Sequence, residues 1–538
     1  MCGILGVLLK DSDSILQKNF QISHAMEVLK PRGPDYSKTI RFNNVVLGHT
    51  RLAIVNPSSG AQPMVGDEWI LTVNAEIYNH KRLQDQDITM SDCDVILNKL
   101  ENGVPPSSFL PKLEGMFSFV AYNITKDTMI VARDRTGITP LYVAEVEGSY
   151  WACSLLRAFP KNSKPRIVMP GTVETFKRSD ESISWASETW AKPYVTNNID
   201  KFYCRRTYRR LLQSAVQDRV MQGDTPWGVL LSGGLDSSIV AALACKLKNP
   251  NYPVVHSFCI GLSGSPDLEA AKVVANHLGT VHHSIVYTVE DTVHHLEDVI
   301  RDVETYDITT VRASIPMWLL GRELKRYNIK YVLSGEGSDE SWGGYLYNWH
   351  CPSPEEMTAE CVRKLDRLHA FDCLRANKSL AAHGVECRVP FLSPEVLKFT
   401  MENVHSIHKM SKSHPEMARI EKFDLRSMFQ YDLPVSIITR TKAQFSDAVG
   451  EDHIAALKSH AESQIDDELF EKRPDFIHTK EGMLYYALFR DMFYNIEDPT
   501  DAVLTEPVSI ACSTEHAMKW NTSFSAKADP SGESVKEL

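Results

Sequence analysis

Several features that mark whole classes of protein are missing from this 538-residue chain. No run of Lys or Arg is long enough to form a phosphate-backbone footprint, and 58 basic against 69 acidic residues leave a formal charge of -11. A nucleic-acid partner is therefore not expected. The 11 cysteines, scattered from Cys2 to Cys512, include no CxxC pair and no spacing typical of a zinc site or disulfide framework, which fits a reducing compartment. No apolar stretch approaches the ~20 residues of a membrane span. The apolar start, Met1-Cys2-Gly3-Ile4-Leu5, lacks the basic region and cleavage site of a signal peptide. The terminal Val535-Lys536-Glu537-Leu538 only echoes a retention signal. The expectation is a cytoplasmic protein with no membrane partner. What is present is ordinary globular material, 43% hydrophobic and 24% charged. At ~150 residues per domain it makes three or four units, or fewer large ones.

The rhythm of the chain changes once. Up to about Pro170, short β-rich runs such as Val45–Leu47, Trp69–Val73, Met116–Tyr122 and Thr128–Ala132 alternate with turn residues. They predict an α+β sandwich of stacked sheets with helices outside. A polar stretch from Trp190 to Asn198 is the candidate linker. Beyond it, strand and helix alternate: strand Trp227–Leu231, helix Ser237–Lys248, strand Val254–Ile260, helix Asp267–Leu278, strand Val281–Tyr287, helix Pro316–Tyr327, strand Lys330–Leu333. That order predicts a doubly wound parallel sheet with ligands at the carboxyl ends of its strands. Residues 355–493 read as mainly helical, and the polar chain beyond Glu506 as a loose tail. The boundaries drawn are 2–190, 205–510 and a tail of 511–538.

Two glycines in Ser232-Gly233-Gly234-Leu235-Asp236-Ser237-Ser238 let backbone N–H groups turn inward between a strand and a helix. Hydroxyls flank this anion nest and the helix N-terminus adds positive potential for phosphate. No Gly-Lys-Ser/Thr follows, so it is not a Walker loop; it resembles the pyrophosphate loop of ATP pyrophosphatases. A second loop, Ser334-Gly335-Glu336-Gly337-Ser338-Asp339-Glu340, closes another strand, so Asp236 and Asp339 are both placed where carboxylates can hold Mg²⁺ against ATP. Between the loops, Thr310 and Arg312 are candidates to grip phosphate or a substrate carboxylate. Lys442 is a candidate cation for charge on an acyl-adenylate. His282-His283, adjacent on a strand, should point to opposite faces, one buried and one solvated, rather than pair on a metal.

Removal of Met1 would give Cys2 a thiol and a free α-amine together, and that amine's ordinary pKa of ~7.7–8.0 suits a base acting on the thiol. Arg51 can hold an amino-acid carboxylate, Glu76 with Asp92 its ammonium, and Asn74 can donate to an oxyanion. With Arg32-Gly33-Pro34-Asp35, His49-Thr50-Arg51, Asn74-Ala75-Glu76-Ile77-Tyr78-Asn79 and the tail Asp529-Pro530-Ser531-Gly532, the sequence resembles the glutamine-hydrolysing asparagine synthetases over nearly its whole length. The resemblance implies an N-terminal-nucleophile glutaminase joined to an ATP-pyrophosphatase-type synthetase. It makes Cys2 the nucleophile, Arg51, Asn74, Glu76 and Asp92 glutamine ligands, and Asn74 with the Ala75 N–H the oxyanion hole. It places Leu230, Ile260, Ser334 and Gly335 around ATP, Ser232, Gly233, Gly234, Asp236 and Ser237 around pyrophosphate, and magnesium on Asp236 and Asp339. Glu336 and Lys442 would serve the β-aspartyl-adenylate. The substrates implied are aspartate, glutamine and ATP; a homodimer stays open. Four positions depart from the family pattern: Ala75 for Gly, Leu155 for Glu, Ser393 for Asp and Ala443 for Glu. Ala75 would cost ~1–2 kcal/mol if its φ were positive, and Leu155 would disturb the domain interface. They motivate two alternatives, a catalytically degenerate relative and an amidotransferase acting on another acid.

Overall fold

A computed structural model of the chain describes residues 1–10, 14–83, 91–179, 182–194, 204–247, 249–411, 420–441, 451–498, 500 and 514–520. The first part stacks two six-stranded antiparallel sheets. One has Gly3–Leu8 near its centre, between Ser149–Cys153 and Val45–Arg51; the other has Gly115–Asn123 between Trp69–Ile77 and Thr128–Arg133. Alternate residues of both sheets interdigitate, Ile4, Leu8, Val45 and Leu47 meeting Ile70, Val120, Tyr122 and Val131. Outside them, helix Ser14–Leu29 lays Met26 and Leu29 over Leu5 and Val7, and helix Asp94–Glu101 lays Val95, Ile96 and Leu100 over Leu71, Val73 and Ile77. The layering is helix, sheet, sheet, helix.

The second part is a five-stranded parallel sheet, ordered in space Val281–Val286, His256–Gly261, Trp227–Leu230, Tyr331–Leu333, Glu386–Arg388. The strand Trp227–Leu230 has neighbours that come later in the chain on both sides, so the crevice beyond its end is the natural ligand position. The three-residue strand Glu386–Arg388 had no sequence counterpart among the predicted strands. The helix expected from Pro316 starts eight residues earlier, at Ile308, because Asp307 caps it by accepting from the Thr310 N–H at 2.8 Å. Pro316 is tolerated inside it, fully buried.

Two further expectations change. His282 and His283 do point to opposite faces, His282 beside Ser257 Oγ at 2.9 Å and His283 stacked on Phe258, but both are half-buried. Within the supposed loose tail, residues 514–520 are packed: Thr514 caps helix Glu515–Met518 and donates to Glu360 at 2.7 Å, and Ala517 and Trp520 lie against Tyr345 and Tyr347. The second half of the candidate linker, from Val195 on, and the rest of the tail lie outside the described residues. No helix among the described residues is long and apolar enough to cross a membrane.

Candidate active sites

At the start of the chain, Cys2 precedes the strand Gly3–Leu8, and its backbone N–H donates to Asn74 Oδ1 at 2.9 Å. The Leu52 N–H points at Cys2 Sγ, 3.4 Å away, and Arg32 Nε donates to the Cys2 carbonyl at 3.0 Å. Burial holds the thiol above its ordinary pKa, against the N-terminal ammonium and the Leu52 N–H. Asn74 is buried and its Nδ2 has no hydrogen-bond partner. With Oδ1 already engaged, that amine is a donor waiting for an acceptor, the arrangement an oxyanion hole requires.

Asn74 and Glu76 share one face of the strand Trp69–Ile77 because side chains alternate. Ala75 therefore points the other way, against the helix-covered core. It is paired in register with Phe117 and is not among the residues with positive φ. The strain expected at Ala75 is absent.

Glu76 and Asp92 are both buried, Asp92 Oδ2 accepting from the Ile77 N–H at 2.7 Å. Burial pushes both carboxyls upward, opposed at Glu76 by Arg388 and at Asp92 by the Ile77 N–H. Arg51 reaches over its own loop, donating to the carbonyls of Asn56 at 3.1 Å and Pro57 at 3.2 Å.

The second centre lies where predicted, at the carboxyl ends of the parallel strands. A cavity of about 210 Å³ there is lined by Leu230, Ser232, Gly234, Asp236, Ser237, Ile260, Thr310, Ser334, Gly335, Glu336 and Asp339. Gly233 has φ +70°, and a Cβ on it would come within 2.5 Å of Ala270, so glycine is required at this turn. A Cβ on Gly335 would meet Ser237 N at 2.8 Å, which shows how closely the two loops approach. Ser232 Oγ and Ser237 Oγ lie 3.1 Å apart at the mouth of helix Leu235–Leu247.

Asp236 and Asp339 converge on one position, and a cation is already in it: Lys422 Nζ is 2.6 Å from Asp236 Oδ2 and 2.6 Å from Asp339 Oδ1. Ser338 Oγ donates to Asp236 Oδ1 at 2.7 Å. The two carboxylates beside the phosphate loop form a donor set of oxygens alone, the kind that suits magnesium. Glu336 accepts from Arg375 Nη2 at 2.8 Å. Burial pushes Asp307 up to about 6 and Glu340 up to about 7 at the same cavity.

Arg312 is not a lining residue. Its Nε donates to Glu481 Oε1 at 2.8 Å in a buried ion pair, and Thr309, Thr310, Ala313, Met317 and Leu320 are what its helix presents to the cavity. Lys442 and Ala443 lie outside the described residues. Sequence reasoning missed Lys422, whose backbone is left-handed at φ +56° and whose partners are 186 and 83 positions away. No local pattern announces such a lysine.

The halves share buried structure. Glu304, left-handed at φ +59°, accepts from the backbone N–H groups of Leu156 at 2.7 Å and Arg157 at 2.9 Å and pairs with Lys378, which also donates to Tyr142 Oη at 2.8 Å. Leu155, expected to disturb this interface, is 2% exposed within it. One buried apolar cluster runs from Met116, Ile138 and Leu155 to Leu230, Phe258 and Ile260.

A cysteine at the second position with a vacant amide donor beside it, joined to a parallel-sheet phosphate site with a pair of converging carboxylates, defines an amidotransferase fused to a nucleotide-using synthetase. Known proteins make this specific. The glutamine amidotransferase domain matches residues 1–183, and asparagine synthase matches 207–353 and 350–516. Asparagine synthetase [glutamine-hydrolyzing] 1 of Lotus japonicus is 41% identical over 99% of this chain and 93% of its own length. That of Triphysaria versicolor is 42% identical over the same shares, and form 2 of Arabidopsis thaliana is 41% identical over 99% and 94%. The chain belongs to the glutamine-hydrolysing asparagine synthetase family.

Proposed function

We propose that this chain converts aspartate to asparagine, taking nitrogen from glutamine in a glutaminase part, residues 2–190, and activating aspartate with ATP in a synthetase part, residues 205–510. The observation that carries this reading is the pairing, in one chain, of the Cys2–Asn74 arrangement with a phosphate loop facing two carboxylates, across a shared apolar interior.

In the first part, once Met1 is removed, the Cys2 α-amine takes the thiol proton and the thiolate adds to the side-chain carbonyl of glutamine. Asn74 Nδ2, free to donate, meets the oxyanion together with the Ala75 N–H. Ammonia leaves with that proton, and water then cleaves the thioester to glutamate. Glu76 and Asp92 face the substrate ammonium, and Arg51 its carboxylate. Ammonia crosses the apolar interior as the neutral molecule, since ammonium would have to shed its hydration shell.

In the second part, a β-carboxylate oxygen of aspartate attacks the α-phosphorus of ATP and pyrophosphate leaves into the Ser232–Ser237 loop, where backbone N–H groups, hydroxyls and the helix N-terminus meet its charge. Leu230, Phe258 and Ile260 offer an apolar wall to the base. Magnesium would be held by Asp236 and Asp339 and would supply positive charge against the phosphates. Ammonia then attacks the acyl carbon, AMP departs, and Glu336 is placed to accept the surplus proton; Lys442 is assigned to charge on the adenylate.

The test is Cys2→Ala. With the thiol gone, glutamine-dependent synthesis should stop while ammonium in excess still yields asparagine and pyrophosphate. Retained use of glutamine refutes the nucleophile, and loss of both activities refutes the two-site division.

A further inference from the structure

Arg388 touches both sites. It ends the short edge strand of the synthetase sheet, and its side chain is fully buried. The guanidinium leaves its own domain: Nη2 is 2.8 Å from Glu76 Oε2, on the strand that carries Asn74. The rest of the group is fixed by neighbours on the synthetase side. Nε donates to Glu386 Oε1 at 2.8 Å, Nη1 donates to the carbonyls of Arg219, at 2.7 Å, and Gln222, and the plane lies 4.1 Å above the Tyr331 ring. Its backbone carbonyl, meanwhile, accepts the N–H of Ser334 at 2.9 Å, and Ser334 with Gly335 lines the nucleotide cavity.

We propose that Arg388 is a positioning residue through which occupancy of the glutamine site and occupancy of the nucleotide site change one another's affinity. The proposal rests on the reading of Glu76 as ligand for the glutamine ammonium. In the structure, the Glu76 carboxylate makes one close ion pair among the described residues, with Arg388, and the N-terminal ammonium adds a weaker attraction. Glutamine brings a second to the same buried carboxylate, where repulsion between ammonium and guanidinium is weakly screened. Arg388 cannot rotate away, because Glu386 and two carbonyls hold its plane. Relief comes from a shift of the whole residue, which moves the carbonyl that positions Ser334. By linkage the effect runs both ways: a nucleotide that pulls on Ser334 changes how Arg388 shares Glu76, by the same factor.

The test uses Cys2→Ala protein, which binds glutamine without consuming it. Calorimetry measures glutamine affinity with and without ATP and magnesium, and ATP affinity with and without glutamine, aspartate being absent. In this parent each ligand should change the other's Kd by at least about five-fold, the lower range of allosteric couplings, and by equal factors. Adding Arg388→Lys keeps a charge beside Glu76 and Glu386, so folding is preserved, but removes the fork that ties side chain to backbone position; the coupling factor should fall to unity. A merely structural role would lower the melting temperature or weaken both affinities while leaving the factor as it was. A parent factor of one, or an unchanged factor in the lysine variant, overturns the proposal. Glutamine affinity unaltered by Glu76→Gln overturns it by a separate route, by removing the reading of Glu76 beneath it.

Discussion

Replacing Glu304 by Gln should uncouple the two halves without disabling either. The carboxylate is fully buried and holds Lys378, also fully buried, while accepting two backbone N–H groups from the Leu156–Arg157 turn of the other domain. Glutamine keeps one acceptor oxygen and the left-handed backbone is common to both residues, so the change removes the charge and turns one of the two N–H acceptors into a donor. Lys378 retains Tyr142 Oη, a neutral partner, against the loss of its counter-ion. Leaving a buried charge uncompensated costs about 3–5 kcal/mol, which is roughly 10²- to 4 × 10³-fold in the equilibrium that keeps the interface closed. The assay is the ratio of asparagine to glutamate formed from glutamine, beside synthesis from ammonium. Glutamate production and ammonium-dependent synthesis should persist, while the ratio falls because ammonia escapes at a loosened interface. The double variant Glu304→Gln/Lys378→Met, with no charge left stranded, should recover most of the ratio. A single variant with the parent ratio, or a double variant as poor as the single, would refute the assignment of this pair as an interdomain latch.

Ala75→Gly should not speed glutamine hydrolysis, since no strain exists to relieve, and should cost about 0.5–1 kcal/mol of stability as a strand glycine; a faster enzyme in a glutaminase assay would restore the strain argument. Arg312→Lys should lower the melting temperature by loosening the pair with Glu481, yet leave the KM for aspartate and ATP unchanged; a raised KM would put Arg312 back in the binding site. Acid lability should trace partly to His49, whose buried ring is pushed down to about 3, with Arg51 and the N-terminus adding to the effect of burial. The unfolded chain binds this proton near 6.5 and the native one does not, so stability is full above that value and is lost as pH falls towards 3, on the order of 2 kcal/mol by pH 5. His49→Phe should flatten that part of the urea-midpoint profile, and an unaltered slope would show that His49 carries none of it.

What could be read from the sequence was what local physics decides. The loop Ser232–Ser237 announced itself because glycine, hydroxyls and a helix start must be neighbours in the chain to make an anion nest. Asp236 and Asp339 could be brought together in advance because each follows a strand of one parallel sheet. What escaped depended on distant partners. Arg312 was misplaced because the carboxylate that claims it is 169 residues away. Lys422 was invisible for the same reason, and Glu386–Arg388 because three residues are too few to display a period. Ala75 was misjudged because its backbone is set extended by pairing with Phe117 in the ladder, where a methyl group carries no strain.

The place of Met1 has a consequence measured in time. Its side chain is 1% exposed, its ammonium lies 3.4 Å from Glu386, and its sulfur accepts from Asn377 at 3.5 Å. An exopeptidase cannot grip an end enclosed in this way, yet Glu386 and Asn377 are among the later residues to be made. At a translation rate of about 5–20 residues per second, a ribosome needs roughly 20 to 80 s to travel from the first codon to Glu386. Under the proposed glutaminase mechanism, trimming that frees the Cys2 amine would have to fall within that interval or shortly after it. On that mechanism, a chain that folds before it is trimmed would keep a sealed terminus and a cysteine without its base, and the yield of competent glutaminase would be set by a race between peptidase and ribosome.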